Sequence, residues 1–313
     1  MAKKKWYRFY LYLVLEVSQR ILFSLPRAVS QRLASVLGTI SFYVLTRQRR
    51  KTLAHLETVL GQETGSQELT RIASSVFVNL SKTAADVCRF PKLTQSIIDD
   101  WVSSDGAIAK LNQVLERGKG AIVLTGHIGN WELLGAYLRL HGYPGKAVGR
   151  RIYYDRFNKI LVSLRHSAAW PTIYRDGSAR LILEELRKNH VLGITPDQDF
   201  DSLDGIFVSF FGKPTWTAVS PAKISLASGS AIIPMFMIRE GNRYRLFSED
   251  PIWPILDETK EQAIRKMTEM WSGVVERYVR TYPDQWVWMH NRWRTSQVKV
   301  QAKPEVLLAE KRN

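Results

Sequence analysis

Cysteine is nearly absent: 313 residues contain one, Cys88. That excludes an internal disulfide and any multi-cysteine zinc or iron–sulfur centre, and nothing demands an oxidising compartment. Long apolar runs are missing too. A bilayer span needs roughly 20 apolar residues, and the stretch Phe9 to Leu25 is broken by Glu16, Gln19 and Arg20. There is no Gly-x-Ser-x-Gly elbow, no His-Glu-x-x-His and no Gly-x-Gly-x-x-Gly, and Gly212-Lys213 runs into Pro214 rather than a Walker loop. Serine hydrolase, zinc protease, dinucleotide and nucleotide chemistries lose their usual marks. The acidic run Asp197-Gln198-Asp199-Phe200-Asp201 hints at calcium. Ser202 and Val208 stand where that loop needs Gly and Glu, so it reads as a site wall or a loop turn. No metal and no cofactor is expected, and no repeat of fixed period is visible.

Acid is scarce: 29 Asp and Glu face 45 Lys and Arg, a formal net charge of +16. With 45% hydrophobic and 24% charged residues the chain can still bury a core. The basic surplus is concentrated in residues 1 to 51, which hold eleven Lys and Arg against one acid, Glu16, around the apolar stretches Phe9–Leu25 and Leu33–Leu45. At helical spacing Phe9, Leu13, Val17 and Leu25 make an apolar face, and Trp6, Tyr7, Tyr10 and Tyr12 are aromatics that favour headgroup level. Lys3–Lys5 and the run Arg47 to Lys51 would each gain about 1 kcal/mol per near-surface charge from anionic lipid. Residues 1–51 are therefore expected to anchor the chain in a membrane interface. The plain alternative is a helical hairpin packed on the rest with solvated basic ends. Pro26-Arg27 stands where a cleavable leader would carry small residues. A +16 charge also suits nucleic acid, but the excess lies beside apolar segments rather than along a stripe with stacking aromatics, so no nucleic acid is expected as a partner.

Residues 61–66 read as a linker, and Ser66 with Leu69, Ile72, Ala73, Val76, Phe77 and Leu80 reads as a capped amphipathic helix. Cys88 reads as a small core residue, and Asn79-Leu-Ser81 matches a glycosylation acceptor only by chance if the chain stays in the cytosol. From residue 107 the pattern alternates. Buried-strand candidates are Ala121–Thr125, Lys146–Gly149, Val191–Thr195, Ala231–Ile238 and Arg243–Phe247; helices are expected at 107–117, from Asn130, and around 153–168, 178–189, 215–228 and 258–281. The fold class is α/β, a central mixed sheet flanked by helices, with residues 52–297 as one domain and 298–313 as a flexible tail.

The first strand ends in Gly126-His127-Ile128-Gly129-Asn130-Trp131-Glu132. On one helix His127 and Glu132 would lie about 140° apart. They could meet only across a strand–turn–helix junction, for which Gly126 and Gly129 supply backbone freedom. Asn130 is a good N-cap, placing Glu132 at the positive end of the helix dipole. A carboxylate there could fix the tautomer of His127, as a general base for a hydroxyl requires. The competing reading is a capping network in which His127 merely satisfies a buried turn. His55, His141, His166 and His190 have no acid at a useful spacing. Trp286, Trp288 and Trp293 with His290, Arg292 and Arg294 form either a membrane-facing lip or a terminal strand packed on the core.

Across nearly its whole length the chain resembles the bacterial lipid A biosynthesis (late) acyltransferases of the lauroyl/myristoyl type, within the lysophospholipid acyltransferase superfamily. The likeness rests on His127-Ile-Gly-Asn-Trp-Glu132, Val148-Gly-Arg150, Asn158, Arg165 and Ile194-Thr-Pro-Asp197-Gln-Asp199. Phe210-Phe-Gly212-Lys-Pro-Thr, the helix Ala222 to Leu226 and Trp286-Val-Trp288-Met-His290-Asn-Arg292-Trp293 complete it. The resemblance implies an enzyme at the cytoplasmic face of a bacterial inner membrane, moving an acyl chain from acyl carrier protein to a hydroxyl of a glucosamine-based lipid A precursor. Its partners would be that carrier, the glycolipid acceptor and membrane lipids. It implies the catalytic pair His127 and Glu132, with Asp197 as the alternative orienting acid, and Asn130, Arg150 and Arg165 as substrate-binding positions. Arg165, then Arg150, are the first candidates for oxyanion or phosphate contact. The acceptor could instead be a lysophospholipid or another glycolipid such as a mannoside.

Overall fold

The structure, a computed structural model, describes residues 7–150, 155–174, 179–200 and 203–296. Lys3–Lys5, Trp6, Asp201 and the tail 298–313 lie outside them.

Three helices open the chain: α1 (Tyr7–Ser24), α2 (Arg27–Val44) and α3 (Thr46–Leu60). Next comes the long α4 (Ser66–Val87), its cap provided by Gly65 without a side-chain bond, so Ser66 is the first helical residue rather than the expected cap. The α/β part then runs α5 (Gln95–Trp101), β1 (Val102–Ser103), α6 (Ala107–Leu115), β2 (Ala121–Leu124), α7 (Trp131–Leu140), β3 (Gly145–Gly149), α8 (Asp155–Ala168) and β4 (Thr172–Tyr174). It continues α9 (Ala179–Arg187), β5 (Val191–Ile194), β6 (Gly205–Phe210), β7 (Lys213–Ala218), α10 (Ser220–Ser228), β8 (Ala231–Glu240), β9 (Arg243–Ser248) and α11 (Lys260–Thr281).

The seven-stranded sheet has the order β1-β9-β8-β2-β5-β3-β4, and only β8–β9 is antiparallel, so it is mixed. β2 lies between parallel β5 and β8, and all four of its residues are buried, as an interior parallel strand requires. Its alternation shows both layers. Ile122 and Leu124 join the core made with α3, α4, α9 and α11, and Ala121 and Val123 join the core made with α5, α6, α7 and α8.

The expected helix at 215–228 is corrected: it begins only at Ser220, because Lys213–Ala218 forms β7, paired antiparallel with β6. Thr215, Trp216 and Thr217 favour a pleated surface, and Phe211 and Gly212, with φ of 54° and 69°, make the tight turn. The hairpin is held from below by fully buried Arg292, which donates to Trp216 O and Thr217 Oγ1 at 3.0 Å each and lies 4.4 Å from the Phe210 ring centre.

The boundary expected at residue 51 falls inside α3, which continues to Leu60 against α4. Arg27, one of the eleven basic residues of the first 51, turns inward. It bonds Asp86 at 3.0 Å and stacks 4.0 Å above Trp101. Buried Asp86 also accepts from Arg239 and Tyr244, so one polar network ties α2 to α4 and the sheet. Among the described residues no single helix is long and apolar enough to cross a membrane; α2 and α3 pass such a test only together and meet at 87°.

Candidate active site

Leu124 of β2 and Ile194 of β5 are register partners. His127 lies three residues beyond the first and Asp197 three beyond the second, so both emerge side by side at the carboxyl ends of parallel strands, where open α/β sheets bind ligands. His127 Nδ1 lies 2.7 Å from Asp197 Oδ1, and the His127 backbone N–H donates to Oδ2 at 2.7 Å. Trp286 Nε1 donates to the same oxygen at 2.9 Å. Asp197 is 1% exposed. Its burial opposes ionisation, but the His127 imidazole and these hydrogen bonds outweigh it and hold the carboxyl well below the usual carboxylate range. His127 keeps 18% of its side chain exposed. Its ring therefore has an anion behind it and access in front.

Backbone contacts lock this loop. Gly129 has a φ of 61°, and a Cβ there would stand 2.1 Å from Met237 O. Its N–H donates to Gln285 O, and Val287 N–H donates to His127 O, both at 3.0 Å. Asp199 stitches the neighbouring loop by accepting from the backbone of Arg294 and Thr295 and from the Thr295 hydroxyl.

Glu132 and His127 do not meet. Glu132 does sit in the first turn of α7, but α8 brings Arg165 against it, with Arg165 Nε donating to Oε2 at 2.7 Å and Nη2 bonding Oε1. Trp131 Nε1 adds a contact at 3.2 Å. Among the described residues no hydrogen bond joins Glu132 to His127. The acid beside the histidine is Asp197, because two parallel strands of equal overhang hold the pair closer than a helix turn can. Burial works against the Arg165 charge, yet Glu132 raises its pKa above the ordinary value. That guanidinium is thus neutralised by its partner. Arg150 is exposed at the end of β3. Asn130 is 0% exposed: its side-chain carbonyl oxygen accepts from Leu133 N–H at 3.0 Å, capping α7, and its Nδ2 donates to the Tyr244 hydroxyl at 3.1 Å.

Trp286 and Trp288 are 1% and 0% exposed and belong to the core, so no lip forms there. Nor do they form a strand; Trp286 makes one isolated bridge to Ile128. The same segment supplies a residue that spacing did not single out. His290 stands edge to face with His127 at 4.9 Å, and Gln198 lies between the two rings. Burial pushes His290 down to about 4, with His127 and Lys51 adding to the shift and Asp197 opposing it. His141 and His190 do have acid partners, Asp99 and Glu185, both at 2.9 Å and both away from the His127 loop. Cys88, half-buried, is raised to about 11 by burial and then by Asp86, so its thiolate is suppressed.

A model of the bacterial lipid A biosynthesis acyltransferases matches residues 3–295. The chain belongs to that family. Curated relatives include a phosphatidylinositol mannoside acyltransferase of Mycobacterium tuberculosis, 25% identical over 192 residues, 60% of this chain and 59% of the relative. A lipid A biosynthesis acyltransferase of Haemophilus influenzae is 26% identical over 189 residues, 59% and 57% of the two chains. A lipid A biosynthesis palmitoleoyltransferase of Escherichia coli is 24% identical over 280 residues, 88% of each chain. The chain thus spans less than two thirds of the mannoside acyltransferases it matches.

Proposed function

We propose that this member of the lipid A acyltransferase family moves a fatty acyl chain from acyl carrier protein to a hydroxyl of a lipid A precursor or a related glycolipid, with His127 as general base and Asp197 as its orienting acid. The observation that carries the reading is the 2.7 Å bond from His127 Nδ1 to a buried carboxylate. With Nδ1 so engaged, Nε2 is the nitrogen left to take the proton of the acceptor hydroxyl as its oxygen attacks the thioester carbonyl. The proton then passes to the departing thiolate. Asp197 stabilises the imidazolium between the two steps and stays ionised throughout. No covalent acyl-enzyme is needed, so carrier and acceptor bind together.

An exposed apolar surface supports the reading. Among the described residues, nine of the twelve large apolar side chains left exposed lie between Val17 and Leu45. Val36, Leu37, Ile40, Tyr43 and Val44 cluster on α2, a contiguity that marks an interaction surface. Arg47 and Arg50 stand exposed just beyond them, where anionic lipid or an acidic carrier would gain. Further along α3, Lys51 bonds Asn291 and His55 Nδ1 lies 2.7 Å from Trp288 O, so the same helix reaches the His290 segment. An acceptor held in a membrane interface would thus lie near the base. The placement we propose is the cytoplasmic face of the inner membrane.

The mannoside acyltransferase likeness favours a second acceptor, a phosphatidylinositol mannoside. Incubating the purified full chain with labelled lauroyl-acyl carrier protein and each acceptor in turn, followed by thin-layer separation, distinguishes them. A labelled, less polar glycolipid product is expected, and it should be lost in His127→Ala. Label transferred to neither glycolipid contradicts the reading.

A further inference from the structure

Two histidines share one amide. Gln198 Nε2 lies 2.6 Å from His290 Nδ1 and rests against the edge of His127, 3.2 Å from Nε2 and 3.3 Å from Nδ1. Asp197 already engages His127 Nδ1, so Nε2 is the nitrogen that can accept from the amide. The NH2 end of the amide stands between the rings, and its two hydrogens match two acceptors, Nε2 of His127 and Nδ1 of His290. His290 is then bare at Nδ1, and its ring hydrogen sits on Nε2.

An N–H therefore rests on the nitrogen that the reaction needs. When an acceptor hydroxyl takes His127 Nε2, that N–H loses its partner, and an unpaired donor in such a site is costly. The thioester oxygen arrives at the same moment and gains negative charge as the new C–O bond forms. Arg165, the expected donor, is bound to Glu132. We propose that Gln198 is the donor to the oxyanion and that His290 is a positioning residue, holding the amide by its second hydrogen. The assignment rests on His127 being the base. As the hydroxyl oxygen bonds the carbonyl carbon, its proton goes to His127 Nε2 and the carbonyl electron pair moves to the oxygen held by Gln198. The pair returns as the C–S bond breaks, and the thiolate takes the proton from His127. Gln198 gains and loses none.

Gln198→Leu removes the donor, and Gln198→Glu keeps its shape while replacing the donor by an acceptor. With lauroyl-acyl carrier protein and a lipid A precursor, both variants should lose about 10²–10³-fold in kcat. KM for either substrate should move by no more than about threefold, a split that a merely structural role would not give. His290→Phe should lose about tenfold through misplacement of the amide, and the double variant should be no slower than Gln198→Leu. Wild-type turnover in folded Gln198→Leu overturns the proposal. His127→Ala, measured alongside, separates the two readings: an inactive His127→Ala beside an active Gln198→Leu removes the donor and leaves the base, whereas an active His127→Ala removes the base itself. A second readout needs no turnover. Ring nitrogen NMR of the wild-type protein should show His290 bare at Nδ1 and protonated at Nε2, a state that Gln198→Leu disturbs. A wild-type His290 protonated at Nδ1 contradicts the proposal.

Discussion

His127 and Asp197 each overhang a strand by three residues, and because Leu124 and Ile194 face each other in the β2–β5 ladder, the equal overhangs close into a 2.7 Å bond. The pair is a product of register, and it is only as precise as the two loops that carry it.

Gly126 stands between the strand and the histidine, where an added Cβ would come 3.2 Å from Asp197 Oδ2. Gly126→Ala should therefore shift the carboxylate by a few tenths of an ångström while the protein stays folded. An activity loss of about 10- to 100-fold is expected from such a misplacement. Steady-state kinetics beside a thermal melt checks both halves.

Glu132 and Arg165 keep only 12% and 21% of their side chains exposed, so the two charges depend on each other. Removing one partner of such a buried pair costs about 3–5 kcal/mol, whereas replacing both by apolar groups is often near neutral. Urea denaturation should find Glu132→Leu strongly destabilised and Glu132→Leu/Arg165→Met largely restored. Equal destabilisation of both would show that the pair does something other than neutralise itself.

His290 gives a stability signature with a definite sign. Its folded pKa lies near 4, below the ordinary 6.5, so the unfolded chain takes up a proton first as pH falls. Stability present above about pH 6.5 should drain away between 6.5 and 4, by at most about 3.5 kcal/mol at 1.4 kcal/mol per unit. Asp197, depressed in the fold, adds a second loss as pH falls below about 4. Chemical denaturation at stepped pH should show the first loss blunted in His290→Asn and the second unchanged.

On α2, Val36 and Ile40 are 56% and 52% exposed and one turn apart. Val36→Asp/Ile40→Asp should leave the melting temperature nearly unchanged. Binding to anionic vesicles should weaken by about tenfold or more, since the apolar face would be interrupted where it meets lipid. Flotation of the full chain with vesicles measures this directly.

The strands that carry the site were legible in the sequence because each is a short, wholly apolar run: Ala121–Leu124, Val191–Ile194 and Ala231–Ile238 need no context to read as buried strands. Asn130 was legible as a cap for the same local reason. What was not legible depends on pairing. Five residues separate His127 from Glu132 in number, and seventy separate it from Asp197, yet the ladder inverts that order of proximity. No sequence spacing links Gln198 to His290, 92 residues apart. The hairpin of β6 and β7 was hidden because its turn uses Phe211 rather than an Asn or Asp with positive φ. Trp286 and Trp288 stay open between lip and core until Ile128 and Phe210 are placed against the first and Phe211 against the second.

The most direct test of the His127–Asp197 pair is the turnover number of folded Asp197→Asn with lauroyl-acyl carrier protein and a glycolipid acceptor. The substitution keeps size and shape but offers His127 the wrong partner, and kcat should fall about 10²- to 10⁴-fold with KM little changed. Near wild-type turnover in Asp197→Asn, with the large loss appearing in Glu132→Gln instead, would contradict the pairing as the source of the chemistry.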